Sequence, residues 1–268
     1  MPYNNNNNRM VIENNTATVS LAKTPENTSL HSENEEIRRR YILGLVSLSS
    51  LFLVGMYIFF LDGIKNLISE QGYTTIPSVM VILVGFTIVS LVLRWSKLTL
   101  QDCGLTLHHW QKQVFRGITW AIPTVILFVI IKWICIAYGN LPYRLFDPTV
   151  PYLTANKFHV YHYLTFLAIY ALFCPFQEFI IRGFMQTLLR DFFVGGYVIR
   201  AGMAILISNI VFGATHAHIS VAFGLVAMSF GLLWGIQYEK HKSLLSVIVS
   251  HMFAGICIEF LLGFSYII

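Results

Sequence analysis

The sequence predicts an all-α, polytopic helical membrane protein with about seven (six to eight) transmembrane helices. Three observations carry that prediction. Of 268 residues, 56% are hydrophobic and only 12% are charged, where a soluble domain carries about 25%. The charges gather at the ends of long apolar runs. The runs themselves lack the residue-by-residue alternation of a membrane β-barrel. So little charge cannot cover a water-facing surface, which excludes an ordinary soluble enzyme. Disorder over the whole length is excluded too, because disordered chains are poor in apolar residues.

Residues 1–36 come first. They are polar, with Asn4 to Asn8 in a row, and contain nothing to bury, so a disordered Asn-rich tail is expected before a helical domain at 37–268. No cleavable signal peptide is expected, since the first apolar run begins only at Tyr41. Tyr41–Leu61 is 21 residues without Asp, Glu, Lys or Arg, and Gln71–Leu93 is 23. Each is long enough to cross a hydrocarbon core of about 30 Å. Gly117–Tyr138 is a third span, interrupted only by Lys132. A fourth covers about 159–190 and is expected to break at Pro175. Ala201–Tyr238 is 38 residues free of these charges, about 57 Å as one helix. That is nearly twice a bilayer core, so two spans must turn near Ala217–Ser220. Ser243–Phe264 is the seventh.

Lys and Arg positions orient the spans. With the N-terminus inside, Arg38, Arg39, Arg40, Arg94, Lys97, Lys112, Arg116, Arg190, Arg200, Lys240 and Lys242 face the cytoplasm, while only Lys65, Arg144 and Lys157 lie outside. This asymmetry fits a multi-pass protein with a cytoplasmic N-terminus. The formal charge of +5 is therefore spread over span ends rather than gathered on a soluble patch. It indicates the lipid bilayer as partner, and no nucleic acid. Four cysteines (Cys103, Cys135, Cys174, Cys257) lack metal-like spacing and read as small hydrophobes.

Ionisable groups inside spans are costly and mark function by default. They are Lys132, Glu178, Arg182, His216, His218, His251 and Glu259. Lys132, near a span end, is expected to snorkel to the interface. Glu178 and Arg182 are four apart on one helix face and expected to pair, and Gln186 continues the stripe. At 1.5 Å per residue, Glu178, His251 and His216 lie about 18, 13 and 24 Å from the inner boundary. Those depths are compatible with a single polar cavity.

At these residues the sequence resembles the CAAX protease and bacteriocin-processing (Abi) family of intramembrane proteases, over about residues 100–256. The family's Glu-Glu-x-x-x-Arg-Gly motif is matched by Gln177, Glu178, Arg182 and Gly183. Its Phe-x-x-x-His motif is matched by Phe212 and His216. Its His-x-x-x-Asn/Asp motif is matched in part by His251 and Gly255. Supporting stretches are Cys103 to Leu105 followed by Trp110, Phe230 to Gly235, and Lys242 leading to His251.

The resemblance implies an intramembrane endopeptidase cleaving a membrane-associated or prenylated peptide with a glutamate-activated water. It further implies catalytic or supporting roles for Glu178, His216, His251, Arg182 and Gln177, with the third-motif residues holding the oxyanion. It leaves metal use open; if a divalent metal is held, the implied ligands are Glu178, His216 and His251. Two positions depart from the pattern. Gln177 stands where the family has its first Glu, and an amide is no general base. Gly255 replaces an amide donor. Three residues are candidates to compensate: Glu178 itself, turned by a distortion at Pro175; Glu259, in stripe with His251 and Gly255; and Asn209, seven residues before His216. The alternatives are a catalytically inactive relative serving as membrane scaffold or immunity factor, and a small transporter using the polar residues as a relay.

Overall fold

The computed structural model describes residues 35–36, 42, 87, 90, 94, 99–139, 144–148, 153–154, 157–217 and 220–264. Apart from isolated positions, the expected tail and the spans Tyr41–Leu61 and Gln71–Leu93 lie outside these residues, as does His218. The chain divides into Met1–Arg38 and Arg39–Ile268.

The second unit is helical. Helix α1 is Trp110–Gly139, 30 residues that run through Pro123. Two-residue strands β1 (Leu153–Thr154) and β2 (Lys157–Phe158) form an antiparallel pair before the next span. Helix α2 (Val160–Glu178) continues into a π-helix, Phe179–Gln186, and then α3 (Thr187–Phe192). Helices α4 (Tyr197–His216), α5 (Val221–His241) and α6 (Leu244–Gly255) come next, and α6 runs on into a second π-helix, Ile256–Leu261. Five helical segments of the described residues are long and apolar enough to cross a membrane. They correspond to the last five expected spans, and the turn expected near Ala217–Ser220 falls between α4 and α5. The protein is an integral membrane protein.

Local chemistry sets the ends of these helices. Ser220 and Ser243 cap α5 and α6, each hydroxyl accepting from the backbone N–H three residues on, as N-cap side chains do. Between α5 and α6, Lys242 takes a left-handed conformation (φ 47°), which reverses the chain in two residues. Helix α4 packs chiefly on α5, and α1 on α6. The α4–α5 contact depends on paired glycines. A β-carbon at Gly213 would lie 2.8 Å from the Gly224 carbonyl oxygen, and one at Gly224 would lie 2.9 Å from the Gly213 carbonyl. Small residues at membrane helix crossings permit such backbone approach.

Two expectations are corrected. Pro175 does not break the fourth span: α2 is continuous through it, and the irregularity is the π-helix that begins after Glu178. Lys132 does not snorkel. It is 1% exposed, and its ammonium donates to the carbonyl of Leu262, at the end of the last span. The carbonyls there have no helical partner and carry partial negative charge, which offers the lysine a closer partner than interfacial water.

Candidate active site

The site is built on the junction between α2 and its π-helix. Cys174, Glu178, Arg182 and Gln186 follow one another at intervals of four, and all are buried. A single stripe of one helix thus faces the bundle interior. The i→i+5 bonding of a π-helix widens its turn, a distortion frequent at functional sites. It keeps residues four apart nearly in line, so Arg182 reaches back to Glu178. Gln177, one position earlier, is half-buried. Neighbouring helical residues point in different directions, so when Glu178 faces inward Gln177 faces aside.

Glu178 is fully buried. Its Oε1 accepts from Arg182 Nη1 at 3.3 Å and meets His251 Nδ1 at 2.6 Å. A carboxylate only accepts, so Nδ1 carries the hydrogen of that bond, leaving Nε2 on the far side of the ring. Oε2 has no hydrogen-bond partner among the described residues. A buried carboxylate oxygen without a partner is costly and marks a place for a small polar molecule.

Arg182 is fixed on its other side by α4 and α5. Its Nη2 donates to Asn209 Oδ1 at 2.8 Å and to the Gly231 carbonyl at 3.0 Å. Its guanidinium carbon lies 4.4 Å from the Phe212 ring centre, within cation–π range. Gly231 must be glycine here, because a β-carbon would overlap the Asn209 carboxamide. Asn209 is committed at both ends, its amide nitrogen donating to the Ile205 carbonyl at 2.6 Å. It serves the arginine, and not the missing amide of the third motif.

His251 is held by aromatic rings. Trp234 stacks on it at 3.9 Å and 22°, while Phe212 meets it edge-on at 5.9 Å and Tyr170 at 6.1 Å. His216 ends α4 at the margin of this cluster. Its ring packs on Phe212 at 4.5 Å, and Nδ1 is 2.8 Å from the Phe212 carbonyl. The structure therefore brings Glu178, Arg182 and His251 into direct contact, with His216 one ring away. Glu259 sits half-buried in the second π-helix, whose altered period ends the α-helical stripe through His251 and Gly255.

Any resident divalent metal would need a converging set of donors. Among the described residues, no group of three or more His, Cys, Asp or Glu is placed to hold one. Glu178 and His251 are turned on each other rather than on a shared point, so the set Glu178, His216 and His251 does not fit a metal in this arrangement.

Sequence reasoning missed Tyr170, Trp234 and Gly231. Tyr170 had a signal, since it begins the same four-residue stripe eight positions before Glu178. Gly231 and Gly235, a small-residue pair one turn apart, also had one. Nothing local distinguishes Trp234 from a core tryptophan.

This is a helical membrane protein whose interior holds a carboxylate clasped between a guanidinium and an imidazole. Residues 159–257 match the family described as type II CAAX prenyl endopeptidase Rce1-like, the segment that contains all three motifs. The match covers 99 of the 268 residues and is a likeness of that segment to the family. Nothing among curated proteins or solved structures is similar enough to count as a match.

Proposed function

We propose that the protein is an intramembrane endopeptidase in which Glu178 activates water against a membrane-associated peptide. The observation that carries this reading is the unpartnered Glu178 Oε2, beside an Oε1 already answered by Arg182 and His251. A water on Oε2 gives up a proton to the carboxylate as its oxygen adds to the scissile carbonyl carbon. Glu178 then returns that proton to the departing amine nitrogen, the C–N bond breaks, and a carboxylate and an amine leave. Arg182 holds Glu178 in place through its guanidinium. His251 meets the developing negative charge on the substrate oxygen as the imidazolium, with Nδ1–H on Glu178 and Nε2–H on that oxygen, and His216 lies beyond Phe212 as a second contact for the substrate. No step uses a metal, so chelators should leave turnover unchanged.

The family match supports a prenylated C-terminal peptide as the substrate class. The Lys/Arg asymmetry supports a cytoplasmic N-terminus, which places 146–157 outside; a cysteine at position 150 (Val150→Cys) labelled only from the cytoplasm would overturn that topology. The activity is tested in liposomes with farnesylated and unprenylated versions of one peptide, with products read by mass spectrometry. Wild type should cleave the farnesylated peptide and Glu178→Gln should not. If wild type cleaves neither this peptide nor a transmembrane one, the protein is an inactive relative that binds membrane partners.

A further inference from the structure

Position 255, where the family motif has an amide, is glycine, and the structure shows what fills the space. Tyr170 on α2 reaches across to α6. A β-carbon built on Gly255 would overlap the Tyr170 hydroxyl and the ring carbon bearing it. A side chain at 255 and a tyrosine at 170 therefore exclude each other. The hydroxyl donates to the main-chain carbonyl of His251 at 3.2 Å, and the ring meets the His251 imidazole edge-on. On its other face the ring packs 5.7 Å from Phe260, wedged between α6 and the second π-helix.

We infer that Tyr170 is a positioning residue that fills, from the neighbouring helix, the space position 255 leaves, and sets His251 against Glu178. The imidazole is gripped by Trp234 and by the carboxylate, and Cys174 on α2 donates to the Ile248 carbonyl of α6. The Tyr170 hydroxyl adds the bond nearest the site, to the backbone of the residue whose side chain meets Glu178. Gly255 is the clearance that bond requires. The departure from the family motif at 255 is then half of an exchange, with an amide on α6 traded for a phenol on α2. Inserting asparagine at 255 alone cannot restore a motif whose space is taken.

The inference rests on the protease reading only for its kinetic consequence, so it is tested on the full chain in lipid nanodiscs with two independent readouts. Tyr170→Phe removes the hydroxyl alone. It should lower kcat on the farnesylated peptide by about tenfold, the worth of one hydrogen bond, with KM little changed. It should also shift the imidazole nitrogen resonances of His251 in the histidine-labelled protein, assigned by their loss in His251→Gln. Unchanged His251 resonances would overturn the inference, whether or not the wild type cleaves any peptide. The second readout is thermal stability. Gly255→Ala should melt well below wild type, and Tyr170→Leu combined with it should melt higher than Gly255→Ala alone. A double variant that melts no higher would show that the two positions do not compete for space. That result overturns the exchange even if Tyr170→Phe fails to fold.

Discussion

Glu178 and Glu239 are both buried carboxylates that meet an arginine, and they differ in how completely they are answered. Glu239 lies at the C-terminal end of α5. Its Oε1 accepts from Gln186 at 3.1 Å and Arg190 at 3.4 Å, and its Oε2 accepts from the Tyr197 hydroxyl at 2.9 Å and from Lys242. Both oxygens are saturated by groups from the π-helix, α3, α4 and the α5–α6 turn. Such a cluster ties helix ends together and has nothing left to offer a substrate. Glu178 uses one oxygen for both partners and leaves the other unanswered, and the Arg182 Nε is likewise without a partner among the described residues. Gln186 Oε1, in the Glu239 cluster, is also without a partner among the described residues, so it is the open carboxylate oxygen that sets Glu178 apart. The clusters share a helix stripe, since Gln186 lies eight residues past Glu178.

That contrast can be broken by mutation. The largest expected effect is on turnover. Glu178→Gln should abolish peptide cleavage, a loss on the order of 10²–10⁴ for a general base, while folded yield falls less than in Arg182→Ala because the amide oxygen still accepts from Arg182. Glu239→Gln should do the reverse, lowering stability by about 1–3 kcal/mol through weakened charged hydrogen bonds while sparing kcat. Loss of activity without loss of stability in Glu239→Gln would erase the distinction. Next is Arg182→Ala, which leaves Glu178 charged and uncompensated at a cost of about 3–5 kcal/mol. Folded yield should fall, and recover in part in the Glu178→Gln/Arg182→Ala double variant. Equal melting temperatures for single and double variants would mean that the pair is not coupled. A smaller effect is expected of Gln177→Ala, because Gln177 takes no part in the hydrogen bonds that join Glu178, Arg182 and His251. A kcat within about threefold of wild type would agree with a lost contact of at most a fraction of a hydrogen bond, and a collapse of activity would not.

A separate effect lies outside the membrane-spanning helices. Burial, with Asp102 beside it, pushes the Cys103 thiol up to about 11. Thiolate is the reactive form, so at pH 8 alkylation of Cys103 should be about 100-fold slower than of an ordinary thiol and should accelerate toward pH 11. Peptide mapping after iodoacetamide treatment measures it. Rapid modification at pH 8 would place Cys103 at the surface.

Much of this was legible in the sequence, and the gaps have physical causes. Long apolar runs with few charges located the five described spans, because charge inside a bilayer is costly. The Glu178–Arg182 pair follows from helical spacing alone. Its third member does not: His251 is 73 residues away, and only the packing of α2 against α6 brings it to Glu178. The π-helix escaped because no residue type marks an i→i+5 ladder, and Pro175 drew the expected distortion four residues too early. Lys132 was misjudged because hydropathy cannot show a helix end presenting carbonyls to it. Gly255 looked like a lost donor because a sequence motif runs along one helix, while the phenol that occupies its space comes from another.

If Glu178, and not position 177, carries the base, exchanging the two residues is the most direct test. The Gln177→Glu/Glu178→Gln protein keeps composition and charge but moves the carboxylate one step around the helix, away from Arg182 and His251. Its kcat on the farnesylated peptide should fall to the level of Glu178→Gln alone, and Gln177→Glu in the presence of Glu178 should give no gain. Retained or increased turnover in the exchanged protein would contradict the assignment and place the working carboxylate at 177.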